Sequence, residues 1–211
     1  MRNFESIQIK LVIFDCDGVM FDTEKANTAY YNRILNHFGK PDMTPELFSF
    51  VQMHTVKDSL AHLFQDDLID LEKVIEQSKN MGYFSFIKYM EIEPYLKTLL
   101  SKLRPFYKTA IATNRTDTMD HILQEYGLER DFDLVVSALD IDRPKPFPDS
   151  LLKVLKHFSF KPHEAIYIGD SRLDEQAAEK AAIPLVAYNN ISLSSDFHIK
   201  SLHEIEGILG I

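Results

Sequence analysis

The sequence predicts an α/β fold, a doubly wound parallel sheet into which a long helical segment is inserted. Three observations carry that reading. An apolar, β-branched stretch, "IKLVIF" (9–14), stands near the start of the chain and reads as a strand. About seventy residues with helical periodicity follow, with no clear strand between Thr23 and Glu93. Short apolar runs then alternate with amphipathic patterns, as right-handed βαβ units on a shared sheet require.

From Thr23 to about Phe38, the residues Ala26, Ala29, Tyr30, Ile34, Leu35 and Phe38 recur at helical spacing, and Gly39, Lys40 and Pro41 stop the helix. Further helical patterns cover 45–64 and 67–90. Downstream, "YKTAIAT" (107–113) predicts a strand, and "DTMDHILQEYG" (117–127) a helix with Met119, Ile122, Leu123 and Tyr126 on one face. "FDLVVS" (132–137) and "DSLLKVLKHF" (149–158) continue the alternation as strand and helix. "AIYIG" (165–169), "LDEQAAEKAA" (173–182) and "PLVAY" (184–188) read as strand, helix, strand, and "FHI" with "SLHEIEGIL" closes the chain as strand and helix. A Rossmann-like core is therefore expected in 1–21 and 94–211, with an all-helical inserted domain in 22–93.

The 211 residues can hold one generous domain, or one domain carrying a smaller insertion. Their formal charge of -9 argues against nucleic-acid and membrane-surface roles, because both polyanions need a basic face. Cys16 is the single cysteine, which excludes an internal disulfide and a CxxC metal knuckle; it is expected as a small buried hydrophobe. "MRNFESIQIK" lacks the apolar region of a targeting signal, and no apolar run approaches the roughly 18 residues of a membrane span. A soluble, cytoplasmic protein is expected.

The first strand runs straight into acid in "VIFDCDGVMFD" (12–22). Side chains two apart on a strand share a face, so Asp15 and Asp17 would repel and each would lose hydration. Folding gains nothing from that arrangement. In open α/β sheets the ligand crevice lies beyond the carboxyl ends of the strands. The predicted strands deliver Asp15 and Asp17 there, then Thr113 and Asn114, Lys145 from "RPKPFPD", and Gly169, Asp170, Ser171 and Asp174. Gathered carboxylates make a hard-cation site, and oxygen ligands suit Mg²⁺, which binds through one or two carboxylates plus substrate phosphate. A lysine and a hydroxyl can hold phosphoryl oxygens. One carboxylate can attack phosphorus while a second carries the proton. That set suits phosphoryl transfer.

"DCDGV", "ATN", "KPFPD" and "GDSRLD" occur in the order and spacing of the haloacid dehalogenase-like (HAD) superfamily. The chain resembles its phosphoglycolate phosphatase and β-phosphoglucomutase-like branch, with a helical cap inserted after the first motif. The resemblance implies a Mg²⁺-dependent phosphatase acting on a small phosphorylated metabolite through an aspartyl-phosphate. Asp15 would be the nucleophile and a metal ligand, and Asp17 the general acid/base with its backbone carbonyl on the metal. Thr113 and Lys145 would hold the phosphoryl group, and Asn114 and Gly18 would line the substrate site; Arg115 either faces the crevice and touches substrate or only solvates a helix start. Asp170 would be a metal ligand, and Asp174 an outer or alternative one. Glu24, Arg33, His54 and Lys57 are cap residues that could reach a leaving group, and the sequence does not choose among them. Ala182 stands where many relatives carry Gly, and "FSFVQMHTVKDSL" (48–60) lacks the Gly often seen in the specificity loop.

Dehalogenases and phosphonatases lack the second motif aspartate, so Asp17 favours phosphoryl transfer. A phosphosugar mutase on the same scaffold is the alternative, with a sugar hydroxyl as acceptor. A receiver-like phospho-accepting module fits less well, because its acidic pair precedes the phosphorylated aspartate by most of a βαβ unit. An inactive binding protein is the remaining reading. Phosphoglycolate, sugar phosphates and nucleoside monophosphates are the substrate classes left open.

Overall fold

The computed structural model describes residues 8–52 and 54–211. Residues 1–7, most of the stretch read for a targeting signal, lie outside that range, as does Met53 of the specificity-loop segment. The described chain divides into two compact units, one holding the residues up to Phe21 with Ile92–Ile211, the other Asp22–Glu91.

In chain order the first half gives β1 (Leu11–Phe14), β2 (Phe21–Asp22), α1 (Glu24–His37), α2 (Pro45–Val51), α3 (Val56–Leu63), α4 (Leu71–Met81) and β3 (Glu91–Ile92). There follow α5 (Leu96–Leu103), β4 (Lys108–Ala112), α6 (Met119–Tyr126), β5 (Leu134–Val136), α7 (Asp149–Phe158) and β6 (Ala165–Gly169). The chain closes with α8 (Arg172–Ala181), β7 (Leu185–Tyr188), β8 (Phe197–Ile199) and α9 (Ile205–Leu209).

Six strands form one sheet in the order β5-β4-β1-β6-β7-β8, every neighbouring pair parallel. Counted among themselves these strands run 3-2-1-4-5-6, the doubly wound order whose direction reverses between the first strand and the fourth. Here that switch point separates β1 from β6. Leu11, Ile13, Ala110, Ala112, Ala165 and Tyr167 face one way and pack against Leu151, Val154 and Leu155 of α7 and Ala177, Ala178 and Ala181 of α8. Alternation sends Val12 and Phe14 to the opposite face, where they too are fully buried. A strand buried on both faces is what a parallel sheet covered by helices demands.

The structure departs from the sequence pattern in several places. The expected helix over 45–64 is two helices, because Thr55 accepts a hydrogen bond from the Asp58 N–H at 3.2 Å and starts α3 afresh. The pattern over 67–90 yields α4 and then a 3-10 turn, Phe84–Tyr89, separated by Gly82 at φ 62°. Of the three aromatics Phe84, Phe86 and Tyr89 in that turn, Phe86 is 5% exposed, whereas Phe84 and Tyr89 are 47% and 44% exposed. Helix α5 lies in a stretch to which the sequence reading assigns nothing, although Leu96, Leu99, Leu100 and Leu103 stand at helical spacing and are buried. Within the Asp22–Glu91 unit, α1 buries Ala26, Tyr30, Tyr31, Ile34 and Leu35, and Tyr30 meets Tyr83 and Phe86 edge-on. Ala182 closes α8 at φ 56°, a left-handed position that favours glycine. No described helix is long and apolar enough to cross a membrane.

Candidate active site

The strand β1 ends at Phe14, so Asp15 and Asp17 lie beyond it and not on a continued strand face. Their surroundings differ accordingly. The Asp15 backbone N–H donates to the Ile168 carbonyl of β6 at 2.9 Å, which seats this carboxylate at the switch point. Its Oδ1 accepts the Cys16 N–H at 2.7 Å and meets Lys145 Nζ at 2.8 Å. Among the described residues Oδ2 accepts no hydrogen bond. Asp17 points elsewhere, its Oδ1 accepting from the Arg115 guanidinium at 2.6 Å. Cys16 between them is fully buried, as expected.

Lys145 Nζ is almost enclosed, and its three hydrogens have three partners: Asp15 Oδ1 at 2.8 Å, Asp174 Oδ1 at 2.6 Å and the Tyr167 hydroxyl at 3.0 Å. The backbone of Lys145 is gripped as well. Asn114 Nδ2 donates to its carbonyl at 3.1 Å, and its N–H donates to Asn114 Oδ1 at 2.9 Å. Asn114, expected beside the substrate, thus clamps the lysine loop. Thr113 is 1% exposed and its Oγ1 accepts the Arg115 N–H at 3.2 Å, leaving the hydroxyl hydrogen uncommitted among the described residues. It does not cap the next helix; Thr118 occupies that position before α6.

Strand β6 delivers the remaining acids. Asp174 is fully buried and accepts from Lys145, from the Tyr167 hydroxyl at 2.5 Å, from the Ser171 hydroxyl at 2.5 Å, and from the Asp170 and Ser171 N–H groups. It also closes a capping box with Ser171 at the start of α8. Asp170 has the opposite character: no donor among the described residues reaches its carboxylate, although Asn190 Nδ2 holds its backbone carbonyl at 2.8 Å. Two glycines make room. A Cβ on Gly18, whose φ is 77°, would lie 2.0 Å from Asp170 Oδ2, and one on Gly169 would lie 2.4 Å from Asp174 Cβ. Both close approaches exclude a side chain.

Burial pushes the Asp15 carboxyl up to about 7, with Lys145 pulling it down and Asp174 and Asp17 pushing it further up. Burial and the nearby Asp174 and Asp15 raise Asp170 well above the usual carboxylate range. Burial also opposes charge on Asp174, but Lys145 and its hydrogen-bond donors outweigh it and hold that carboxyl low. The Lys145 ammonium is likewise disfavoured by burial, yet Asp15 and Asp174 keep it firmly charged.

Asp15, Asp170 and Asp174 each offer an oxygen within 4.8 Å of the others. One lysine cannot neutralise three carboxylates, and no donor among the described residues reaches the Asp170 carboxylate. The donor set therefore fits a hard divalent cation such as Mg²⁺. Asp17 stands outside that cluster. The sequence reading missed Tyr167 and Asn190, whose roles rest on partners distant in sequence, and Thr118, whose hydroxyl accepts from the Arg115 guanidinium three residues before it. Glu24 and Arg33 lie on α1 and Lys57 on α3, while the His54 ring stacks on Phe50 at 3.9 Å, all within the Asp22–Glu91 unit.

Residues 12–188 match the sequence profile of the haloacid dehalogenase-like hydrolases. The chain belongs to that family. The chain is 27% identical to a phosphorylated carbohydrates phosphatase of Thermotoga maritima, over 83% of this chain and 82% of that protein. It is also 27% identical to the pyrophosphatase PpaX of Bacillus mycoides, over 86% and 84% of the two chains. A crystal structure of a HAD-superfamily hydrolase, subfamily IA, from Geobacter sulfurreducens superimposes with a TM-score of 0.81 at 35% identity, covering 96% of this chain and 97% of that one.

Proposed function

We propose that the chain is a Mg²⁺-dependent phosphatase of small phosphomonoesters that carries the phosphoryl group transiently on Asp15. The observation that supports this most is the asymmetry of the Asp15 carboxylate. Lys145 and the Cys16 N–H both engage Oδ1, which leaves Oδ2 for in-line attack on phosphorus. Asp17 gives its proton to the leaving-group oxygen as the P–O bond breaks. It then takes a proton from the water that attacks the acyl phosphate, regenerating Asp15. Lys145 offsets charge on Asp15 and on the phosphoryl oxygens, and the Thr113 hydroxyl donates to one of them. The Asp15 and Asp170 carboxylates and the Asp17 backbone carbonyl would hold Mg²⁺, with Asp174 behind them. When bound, the cation supplies positive charge against the carboxylates and the phosphoryl oxygens. The unit Asp22–Glu91 is assigned the role of a cap that selects the leaving group.

The test is phosphate release from p-nitrophenyl phosphate, sugar phosphates, phosphoglycolate and pyrophosphate, with Mg²⁺ or chelator. Sugar phosphates come first because the Thermotoga maritima relative is a phosphorylated carbohydrates phosphatase. Release that needs metal and drops to background in Asp15→Asn is expected. Full activity in that variant would sink the aspartyl-phosphate route.

A further inference from the structure

Asp17 leaves the strand end on a turn, and its side chain has two free torsions with which to aim a proton. Something must fix them. Among the described residues the carboxylate pairs with Arg115, whose Nη2 lies 2.6 Å from Oδ1. Arg115 is itself held from several sides. Its Nη1 donates to Thr118 Oγ1 at 3.2 Å, its backbone N–H donates to Thr113 Oγ1 at 3.2 Å, and its carbonyl accepts the Ala138 N–H at 2.8 Å. The two side chains are 9% and 24% exposed, so water screens the pair less than it would a surface ion pair. Arg115 therefore bridges the hydroxyl assigned to the phosphoryl group and the carboxylate assigned to proton transfer.

We propose that Arg115 is a positioning residue for Asp17: it fixes Oδ1 so that Oδ2 presents the proton to the leaving-group oxygen. This rests on the phosphatase reading above. The proton moves from Asp17 Oδ2 to the ester oxygen while the P–O bond to that oxygen breaks and Asp15 forms the new bond to phosphorus. Arg115 keeps its own protons throughout. A leaving group that is a poor base needs little of this help, whereas an alkoxide needs all of it.

The experiment compares kcat and KM on glycerol phosphate and on p-nitrophenyl phosphate, with Mg²⁺, for wild type, Arg115→Ala, Asp17→Asn and the double variant. Proton transfer by a placed acid is worth about 10²–10⁴-fold, and misplacing it forfeits a large part. Arg115→Ala is expected to lower kcat on glycerol phosphate by about thirtyfold or more, on p-nitrophenyl phosphate by about tenfold less, with little change in KM. In the Asp17→Asn background the same change should alter kcat by less than about twofold, because Arg115 acts through that carboxylate. Arg115→Gln carries the same comparison if Arg115→Ala does not fold, as judged by its melting curve. Equal losses on both substrates, a rise confined to KM, or a full loss on top of Asp17→Asn would each overturn the proposal. Asp15→Asn runs alongside: if it stays active, or wild type releases no phosphate, the phosphatase reading falls and this inference with it. If Asp15→Asn is dead and Arg115→Ala shows no leaving-group dependence, only the present inference falls.

Discussion

Lys145 is the residue on which the buried charges of the core depend. Its ammonium is the cation that meets both Asp15 and Asp174, and it lies out of water with them. Removing one partner of a buried ion pair typically costs about 3–5 kcal/mol, because the remaining charge is left uncompensated. Lys145→Met is therefore expected to lower the unfolding free energy measured by urea titration by an amount in that range, seen as a lower midpoint, and Mg²⁺ should restore part of it. A midpoint within experimental error of wild type would show that the lysine is dispensable to the fold. Lys145 was legible in the sequence because a lysine between two prolines in "RPKPFPD" follows a short strand. Tyr167 was not. On an apolar strand an aromatic residue reads as core, and only the folded chain shows its hydroxyl against Lys145 and Asp174, 22 and 7 residues away.

At the scale of elements, the contact between β6 and α8 sets where Asp170 and Asp174 sit. Gly169 permits it, since a Cβ there would strike Asp174 Cβ, part of a helix and not the end of a flexible chain. Gly169→Ala should force α8 away, cost about 1–3 kcal/mol as overpacking does, and lower phosphate release as well. Gly207→Ala in α9 is the control, because nothing lies within 4 Å of its added Cβ. Equal urea midpoints for the two variants would show that β6 and α8 have slack. Most core elements could be read from periodicity, since β-branched runs and helical apolar spacing differ in kind. The inserted unit was harder to divide. Its breaks depend on single residues, Thr55 as a cap and Gly82 as a left-handed stop, whose effect only the backbone reveals.

For the whole molecule, the acid cluster links stability to pH. In the metal-free protein Asp15 titrates near 7 instead of 3.8, and Asp170 is raised too. Between those values the folded state binds more protons than the unfolded chain, so stability falls as pH rises through that window. Asp174 works in the opposite sense, but its lowered carboxyl stabilises above the ordinary range and loses that contribution only in stronger acid. The melting temperature of chelated protein should therefore fall between about pH 5 and pH 7.5. The rise produced by Mg²⁺ should be larger at the upper end, where the carboxylates are already deprotonated. A flat profile with chelator, or equal Mg²⁺ effects at both ends, would contradict the assignment of these groups.

The order of these residues along the chain matters during synthesis. Asp15 leaves the ribosome first, Thr113 and Lys145 follow, and Asp170 and Asp174 come last. A growing chain thus never holds the three carboxylates of the cluster before its lysine exists. Their mutual repulsion arises only after the compensating cation has been made, when β6 adds to a sheet edge that β1 already presents.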